Sequence, residues 1–211
     1  MPLIAKQKTK SAVPPLEGGT YIAVCVGVID LGEQSNEKYK NYSNKVLMIF
    51  EIPSETVDVE GEQKPRWLSR EFTVSLNEKS NLAKTLVPWL GRELTEQEEK
   101  DGFDLSVMLG KSCQLQVIIA SKEDRQYNNI TAIIGLPKGF PSPTATSEML
   151  LFDIYDWSDD TFAKLPEWIQ EKIKKSTEYR TRSTGTDTLE FPEDTHKPES
   201  PKSETERVAP F

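Results

Sequence analysis

The sequence has very little of the chemistry on which most enzyme active sites depend. Its 211 residues include a single histidine, His196, which lies in a polar stretch. Catalytic sites of the Ser-His-Asp or Cys-His type need a well-placed histidine, and so do histidine-rich metal sites. These classes are therefore nearly excluded, and we expect no enzymatic activity, no catalytic residue, no metal and no cofactor.

Cysteines and long apolar runs are scarce as well. The two cysteines, Cys25 and Cys113, lie in apolar stretches typical of strands, so we predict two reduced thiols in the core. No run approaches the ~18–20 apolar residues of a membrane-spanning helix. The first ten residues contain three lysines but no apolar stretch follows, as it would in a secretory signal. We therefore expect a cytoplasmic protein that does not bind membranes.

The acidic residues are distributed unevenly along the chain. Hydrophobic residues make up only 36% of the sequence, so part of the chain is not expected to bury a core. The net charge is −8, but residues 139–211 hold 15 acidic and 9 basic groups, whereas residues 1–138 are nearly balanced. The acidic composition as a whole therefore does not argue against nucleic-acid binding by the first two thirds.

Five strands and one helix are predicted between residues 17 and 138. The strands are predicted over 20–29, 45–52, 66–76, 111–120 and 128–136, with loops at 30–44, 54–64 and 121–127. A helix that ends or kinks near Val87, before Pro88, follows the third strand. Gly27 interrupts the first strand, which indicates a bulge or a sharp bend.

Two architectures fit this order of elements. The first is a five-stranded OB-fold (oligonucleotide/oligosaccharide-binding) barrel, in which a helix commonly lies between strands 3 and 4; the second is a generic α+β sandwich. The barrel is favoured because it also explains the bend at Gly27. We thus predict a disordered arm (1–16), an OB-fold nucleic-acid-binding domain (17–138), a linker with an amphipathic helix (139–182) and a disordered acidic tail (183–211).

The amphipathic helix has two interpretations. Leu165, Trp168, Ile169 and Ile173 form one apolar stripe. The more ordinary interpretation is that this helix docks on the barrel, and the alternative is that it binds a partner or a second copy. Four aspartates before it (Asp153, Asp156, Asp159 and Asp160) would suit the magnesium site of a nuclease, but a solvated acidic loop is the simpler interpretation.

Basic and aromatic residues occur together in the regions that form the groove of an OB-fold barrel. Lysine and arginine neutralise phosphates, and aromatic rings offer faces on which bases stack. The predicted nucleic-acid-binding residues are Lys38, Tyr39, Lys40, Tyr42 and Lys45 after strand 1, Arg66, Trp67 and Arg70 in strand 3, and Lys122, Arg125 and Tyr127 between strands 4 and 5.

Each of these residues also has a structural interpretation. Trp67 should face outward, because its position in the alternation of strand 3 is opposite to that of Phe72. The tyrosines of the first loop would otherwise only pack that loop. The two arginines of strand 3 would otherwise pair with Glu51 or Glu71.

The acidic, proline-rich tail ends in Pro210-Phe211. A terminal aromatic on such a tail can enter a small apolar pocket of another protein, so we predict that Pro210 and Phe211 bind a partner. This terminus resembles the tails of bacterial single-stranded DNA-binding proteins, which recruit replication and repair enzymes through the final dipeptide.

The body of the chain resembles a family of bacteriophage proteins from Gram-positive hosts that are considered to bind single-stranded DNA. The similar stretches are Glu17 to Tyr21, Cys25 to Gly32, Phe50 to Pro53, Leu68 to Thr73, Ser75 to Ser80, Gly102 to Leu105 and Leu165 to Trp168. The resemblance covers roughly residues 17–180.

This resemblance implies an OB-fold protein that coats single-stranded DNA during phage DNA replication or recombination in the host cytoplasm. Its partners would be single-stranded DNA and, through the tail, replication or recombination proteins; a homo-oligomer is compatible with this function. The alternative is a protein-interaction factor, such as a replisome adaptor or an inhibitor of a host enzyme, without intrinsic nucleic-acid binding.

Overall fold

A computed structural model describes residues 13–36, 41–59, 61–123 and 125–184, and within them the chain is mostly β. The strands are β1 (Gly19–Asn36), β2 (Asn41–Val59), β3 (Glu62–Thr73), β4 (Ser112–Lys122), β5 (Arg125–Ile134) and β6 (Leu150–Phe152). The helices are α1 (Ala83–Leu90), α2 (Glu96–Asp101), α3 (Asp159–Lys164), α4 (Glu167–Ile173) and α5 (Thr177–Thr184), with a 3₁₀ turn at Leu105–Met108. None of these helices has the length and apolar character needed to cross a membrane.

Five strands form one curled antiparallel sheet, a half-barrel, in the order β3-β2-β1-β4-β5. A bulge between Cys25 and Gly27 interrupts the pairing of β1 with β2, as the glycine predicted. The edge strands β3 and β5 approach each other through side chains, since Arg70 Nη1 donates to the Thr131 carbonyl at 3.4 Å. The short strand β6 pairs in parallel with β1.

The strands are longer than the sequence predicted. Much of the predicted loops at 30–44, 54–64 and 121–127 belongs to strands, with Asn36 opposite Asn41, Val59 opposite Glu62, and Lys122 opposite Arg125. Pro53 does not end β2. It lies in a register shift between Ile52 and Thr56, where no backbone N–H is needed to pair with β3. The sequence did not predict these extensions because their residues are mostly polar, and a strand exposed to solvent on both faces shows little apolar alternation.

The inner face of the half-barrel holds the main hydrophobic core. β2 contributes Val46, Met48, Phe50 and Ile52, whose alternation in the sequence predicts one shared core face. Both cysteines are free and buried there, as predicted, and burial raises the pKa of the Cys25 thiol to about 12. On β3, alternation predicts that Leu68, Phe72 and Val74 share one face. Leu68 and Phe72 do face this core, but β3 ends at Thr73, and Val74 beyond it is exposed.

Helix α1 closes one side of this core. Its Trp89 ring lies 5.7 Å from that of Phe50, centroid to centroid. The helix continues through Pro88 to Leu90, so of the predicted end or kink near Val87 the end is wrong, and Gly91 ends the helix in a left-handed conformation. A capping box at Thr95 starts α2, as its sequence predicted.

The outer face of β1 and β2 is covered by the chain from β6 to α5. This second core joins side chains of the sheet to side chains of the covering segment: Val24, Val26, Ile29, Leu31, Leu47 and Ile49 with Phe152, Ile154, Leu165, Ile169 and Ile173. Helix α4 therefore docks on the sheet, the more ordinary of the two interpretations. Gly32 makes this docking fit: its φ is +69°, and a Cβ there would lie 2.5 Å from the Glu178 carboxylate.

Candidate nucleic-acid interface

The predicted nucleic-acid-binding residues fall at two ends of the half-barrel. Tyr42 and Lys45 lie near the β1–β2 turn, where Lys45 Nζ donates to Thr73 Oγ1 at 2.7 Å. Arg66 and Trp67 lie toward the other end of β3, about 20 Å from Thr73 along an extended strand. Lys38, Tyr39 and Lys40, as well as Pro210 and Phe211, lie outside the described residues.

The β4–β5 hairpin lies at the same end as Trp67. Asn128 of β5 holds the chain before β1, because its side-chain amide donates to the Leu16 carbonyl and accepts from the Leu16 N–H, both at 2.8 Å. The same amide oxygen accepts from Arg66 of β3 at 3.4 Å. The hairpin residues Lys122, Arg125 and Tyr127 therefore lie at the same end as Arg66 and Trp67.

The two arginines of β3 bridge the edges of the half-barrel. Arg66 Nη2 donates to the Pro14 carbonyl at 2.9 Å, and the Arg70 guanidinium stacks 5.0 Å from the centre of the Phe72 ring. Burial lowers the pKa of both arginines, and for Arg66 the nearby Glu55 carboxylate opposes this shift. Neither arginine forms an ion pair with Glu51 or Glu71; Glu71 pairs instead with Lys172, at 2.6 Å.

A groove of about 570 Å³ opens beside Trp67. We call it the tryptophan groove, because Trp67 of β3 and Trp168 of α4 both line it, with 36% and 48% of their surfaces exposed. The Trp67 indole N–H donates to Ser147 Oγ at 3.0 Å, which restrains this ring. Lys64 and Arg66 line the same groove, so two aromatic rings and two cations share one opening.

Sequence reasoning missed Lys64 and Trp168 as members of this site. Lys64 falls in a segment predicted to be a loop, and its ammonium forms an exposed ion pair with Glu62 at 3.2 Å. Trp168 was assigned to the buried stripe of the amphipathic helix. Three buried residues at spacing i, i+4 and i+8 (Leu165, Ile169 and Ile173) complete that stripe without it.

The buried carboxylate of Glu51 ties residues 146 and 147 across β2. Glu51 Oε1 accepts from the backbone N–H of Thr146 at 2.7 Å and from its hydroxyl at 3.1 Å, and Oε2 accepts from the backbone N–H of Ser147 at 2.9 Å. Burial by itself raises the pKa of this carboxyl, but the hydrogen bonds from Ser147 and Thr146 outweigh it and leave the pKa lowered. The charged carboxylate thus positions Ser147 against Trp67.

We expect Glu51→Gln to destabilise the protein by about 1–3 kcal/mol at pH 7, because a neutral amide cannot accept from both buried N–H groups. The pKa of Glu51 is lowered in the folded state, so its contribution is present above its ordinary value of 4.5 and is lost as the pH falls through the folded value. Urea unfolding at pH 7 and pH 3 should therefore show a smaller pH dependence for the variant. Glu71→Gln, which alters only an exposed ion pair, is the matched control.

The four aspartates near β6 do not form a metal site. Among the described residues, no group of three or more histidine, cysteine or carboxylate side chains is placed to hold a metal ion. Asp153 accepts a hydrogen bond from the Tyr155 N–H at 2.8 Å, and Asp159 accepts one from the Trp157 indole at 2.7 Å. These two carboxylates cap local turns.

No protein-family model matches this chain, and none of the curated proteins is significantly similar to it. The resemblance to phage proteins of Gram-positive hosts therefore stays a prediction. The function of the chain has to be inferred from its residues and their geometry.

Proposed function

We propose that this chain is a non-enzymatic protein that binds single-stranded DNA with little sequence preference. The observation that carries the proposal is the tryptophan groove, where two partly exposed indole rings and two cations share one opening. Bases stack on aromatic faces whatever their identity, and lysine and arginine neutralise the phosphates between them. This combination is typical of sequence-tolerant single-strand binding.

We further propose that the half-barrel is an OB-fold. The strand order β3-β2-β1-β4-β5, with helices between β3 and β4, supports this assignment. In such barrels the face of strands 2 and 3 and the flanking loops bind oligonucleotides. In this protein the outer face of β2 is covered by the second core, so we place the strand along the rim of β3, through the tryptophan groove.

The β4–β5 hairpin extends the path of the strand. Lys122, Arg125 and Tyr127 lie at the same end of the half-barrel, and Tyr127 is 47% exposed. Together with Lys64 and Arg66, Lys122 and Arg125 place four cations at this end, where they can bind phosphates. The exposed ion pair of Lys64 with Glu62 is weak enough to yield to a phosphate.

Titration with oligo-dT at several salt concentrations tests the proposal. Trp67 and Trp168 are the more exposed of the four tryptophans, so stacking of bases should quench the intrinsic fluorescence. Four phosphate contacts give a slope of about −3 for log K against log salt on a single strand. Absence of binding at low salt would overturn the proposal and leave the protein-interaction factor as the better hypothesis.

The role suggested by the resemblance, in phage replication or recombination, follows only if this binding is found. In that role the chain would coat strands in the host cytoplasm, and its tail, with Pro210 and Phe211, would recruit replication or recombination proteins. Pull-down of purified partner enzymes with and without Phe211 tests that part separately.

A further inference from the structure

A second groove lies beside α1, away from the residues assigned to DNA binding. It encloses about 340 Å³. Its apolar lining comes from Leu76, Val87, Pro88 and Leu94, and its charged lining consists of three carboxylates and one lysine: Glu78, Glu93, Glu99 and Lys84. We call it the α1 groove.

The carboxylates of the α1 groove form no ion pair within the described part of the chain, although Lys84 lines the same groove. All three are exposed, and none forms an ion pair there, whereas the neighbouring Glu98 is held by Arg92 at 2.7 Å. An apolar lining beside three unpaired carboxylates is complementary to a segment that has aliphatic and basic side chains and no acidic ones.

We propose that the α1 groove binds the N-terminal segment, residues 1–12, of a second copy of this chain. The segment contains Lys6, Lys8 and Lys10 and no acidic residue, and it offers Leu3 and Ile4 as aliphatic anchors. Its three positive charges face a groove lining with a net charge of −2, from three carboxylates and Lys84. For a protein with a net charge of −8, such a local match overcomes the repulsion between two copies.

The segment bound in the α1 groove is more easily supplied by a second copy than by the same copy, because of where it joins the described chain. Pro14 is held at Arg66, because its carbonyl accepts from that guanidinium at 2.9 Å. The α1 groove begins at Leu76, three residues beyond the end of β3 at Thr73, and Thr73 lies about 23 Å from Arg66 along the strand. Leu3 could reach about 35 Å from Val13 only if the intervening chain were fully extended, which would cost much of its conformational entropy. A neighbouring copy imposes no such limit.

Charge reversal tests the contact in sedimentation equilibrium without nucleic acid, so its outcome is independent of the DNA-binding proposal. We expect the full chain to self-associate at low salt. Two triple variants should each associate at least about tenfold more weakly. The segment variant carries Lys6→Glu, Lys8→Glu and Lys10→Glu, and the groove variant carries Glu78→Lys, Glu93→Lys and Glu99→Lys. An equimolar mixture of the two should associate again, because only a contact between copies can pair one variant's segment with the other's groove.

The control variant Glu17→Lys, Glu123→Lys, Asp156→Lys makes the same change in net charge as the groove variant, at exposed positions that do not line the groove. It should associate at least as well as the unmodified chain. A monomeric unmodified chain, equal association of a reversed variant, or a mixture that stays monomeric would each overturn the proposal. If a variant fails to fold, fluorescence anisotropy of a labelled peptide of residues 1–12 on the unmodified chain decides; a scrambled peptide that binds equally well would overturn it.

Discussion

Replacing Trp67 or Trp168 with alanine is expected to weaken the binding of oligo-dT about 5- to 150-fold, because loss of one stacked base costs roughly 1–3 kcal/mol. Both rings line the tryptophan groove and are partly exposed, so neither substitution should open a cavity in a core. Anisotropy of labelled oligo-dT measures the affinity, and urea unfolding measures the stability. The slope of affinity with salt should not change, since no cation is removed.

The matched control is Tyr155→Ala. Tyr155 is 73% exposed, and its hydroxyl donates to the Glu178 carboxylate at 3.1 Å. Partial burial of the hydroxyl, together with the Glu178, Asp30 and Glu33 carboxylates, raises its pKa to about 12. A polyanion should avoid this acidic surface, so loss of this ring should leave the affinity unchanged. Equal losses for Tyr155 and Trp67 would show that aromatic surface in general, and not the tryptophan groove, determines binding.

The alternation of apolar residues predicted the inner core. The outer core was not predicted, although a continuous apolar run in the same strand accompanies it. In β2, Val46, Met48 and Phe50 alternate toward the inner core, as predicted. The residues between them, Leu47 and Ile49, are apolar too, and the structure buries them under the C-terminal segment. A strand that is apolar at every position is buried on both faces, so this run is a signal of a second layer over β2, which our predictions did not include.

The polar ends of the strands could not be predicted in the same way. Residues 56–59 of β2 pair with β3 but include no buried side chain, and their apolar alternation is limited to Val57 and Val59, which is too short to predict a strand. The same limit hid Lys64 from the candidate site. Burial, and not propensity, produces the pattern from which strands are predicted.

The alternation of side chains along β3 predicts the directions of Trp67 and of the two arginines. The alternation predicted that Trp67 faces outward, and its side chain lines the tryptophan groove. Arg66 and Arg70 share the alternation of Leu68 and Phe72, which predicts an inward direction at the edge of the sheet. Their partners on β5 come from distant sequence, 62 and 61 residues away, so no local pattern could identify Asn128 and Thr131.

The largest effect on stability is expected from removal of the segment that covers β1 and β2. A chain that ends after residue 148 loses Phe152, Ile154, Leu165, Ile169 and Ile173 and exposes the apolar outer face of the sheet. Burial of one such side chain stabilises by about 1.5–3 kcal/mol, so the five together contribute roughly 8–15 kcal/mol. That amount is comparable to the whole stability of an ordinary domain, about 5–15 kcal/mol. We therefore expect the shortened chain to be unfolded or aggregated.

Two matched controls separate loss of this core from loss of chain length. A chain that ends after residue 184 keeps every described residue and should melt like the full chain. Ile169→Ala should cost about 2–5 kcal/mol, which lowers the melting temperature by roughly 4–20 °C, whereas substitution of its exposed neighbour Trp168 should barely change it. Circular dichroism melting of all four proteins measures these differences. A cooperative transition near the normal temperature for the chain that ends after residue 148 would show that the half-barrel folds without its outer cover, and the outer face of β2 would then be free to bind a strand.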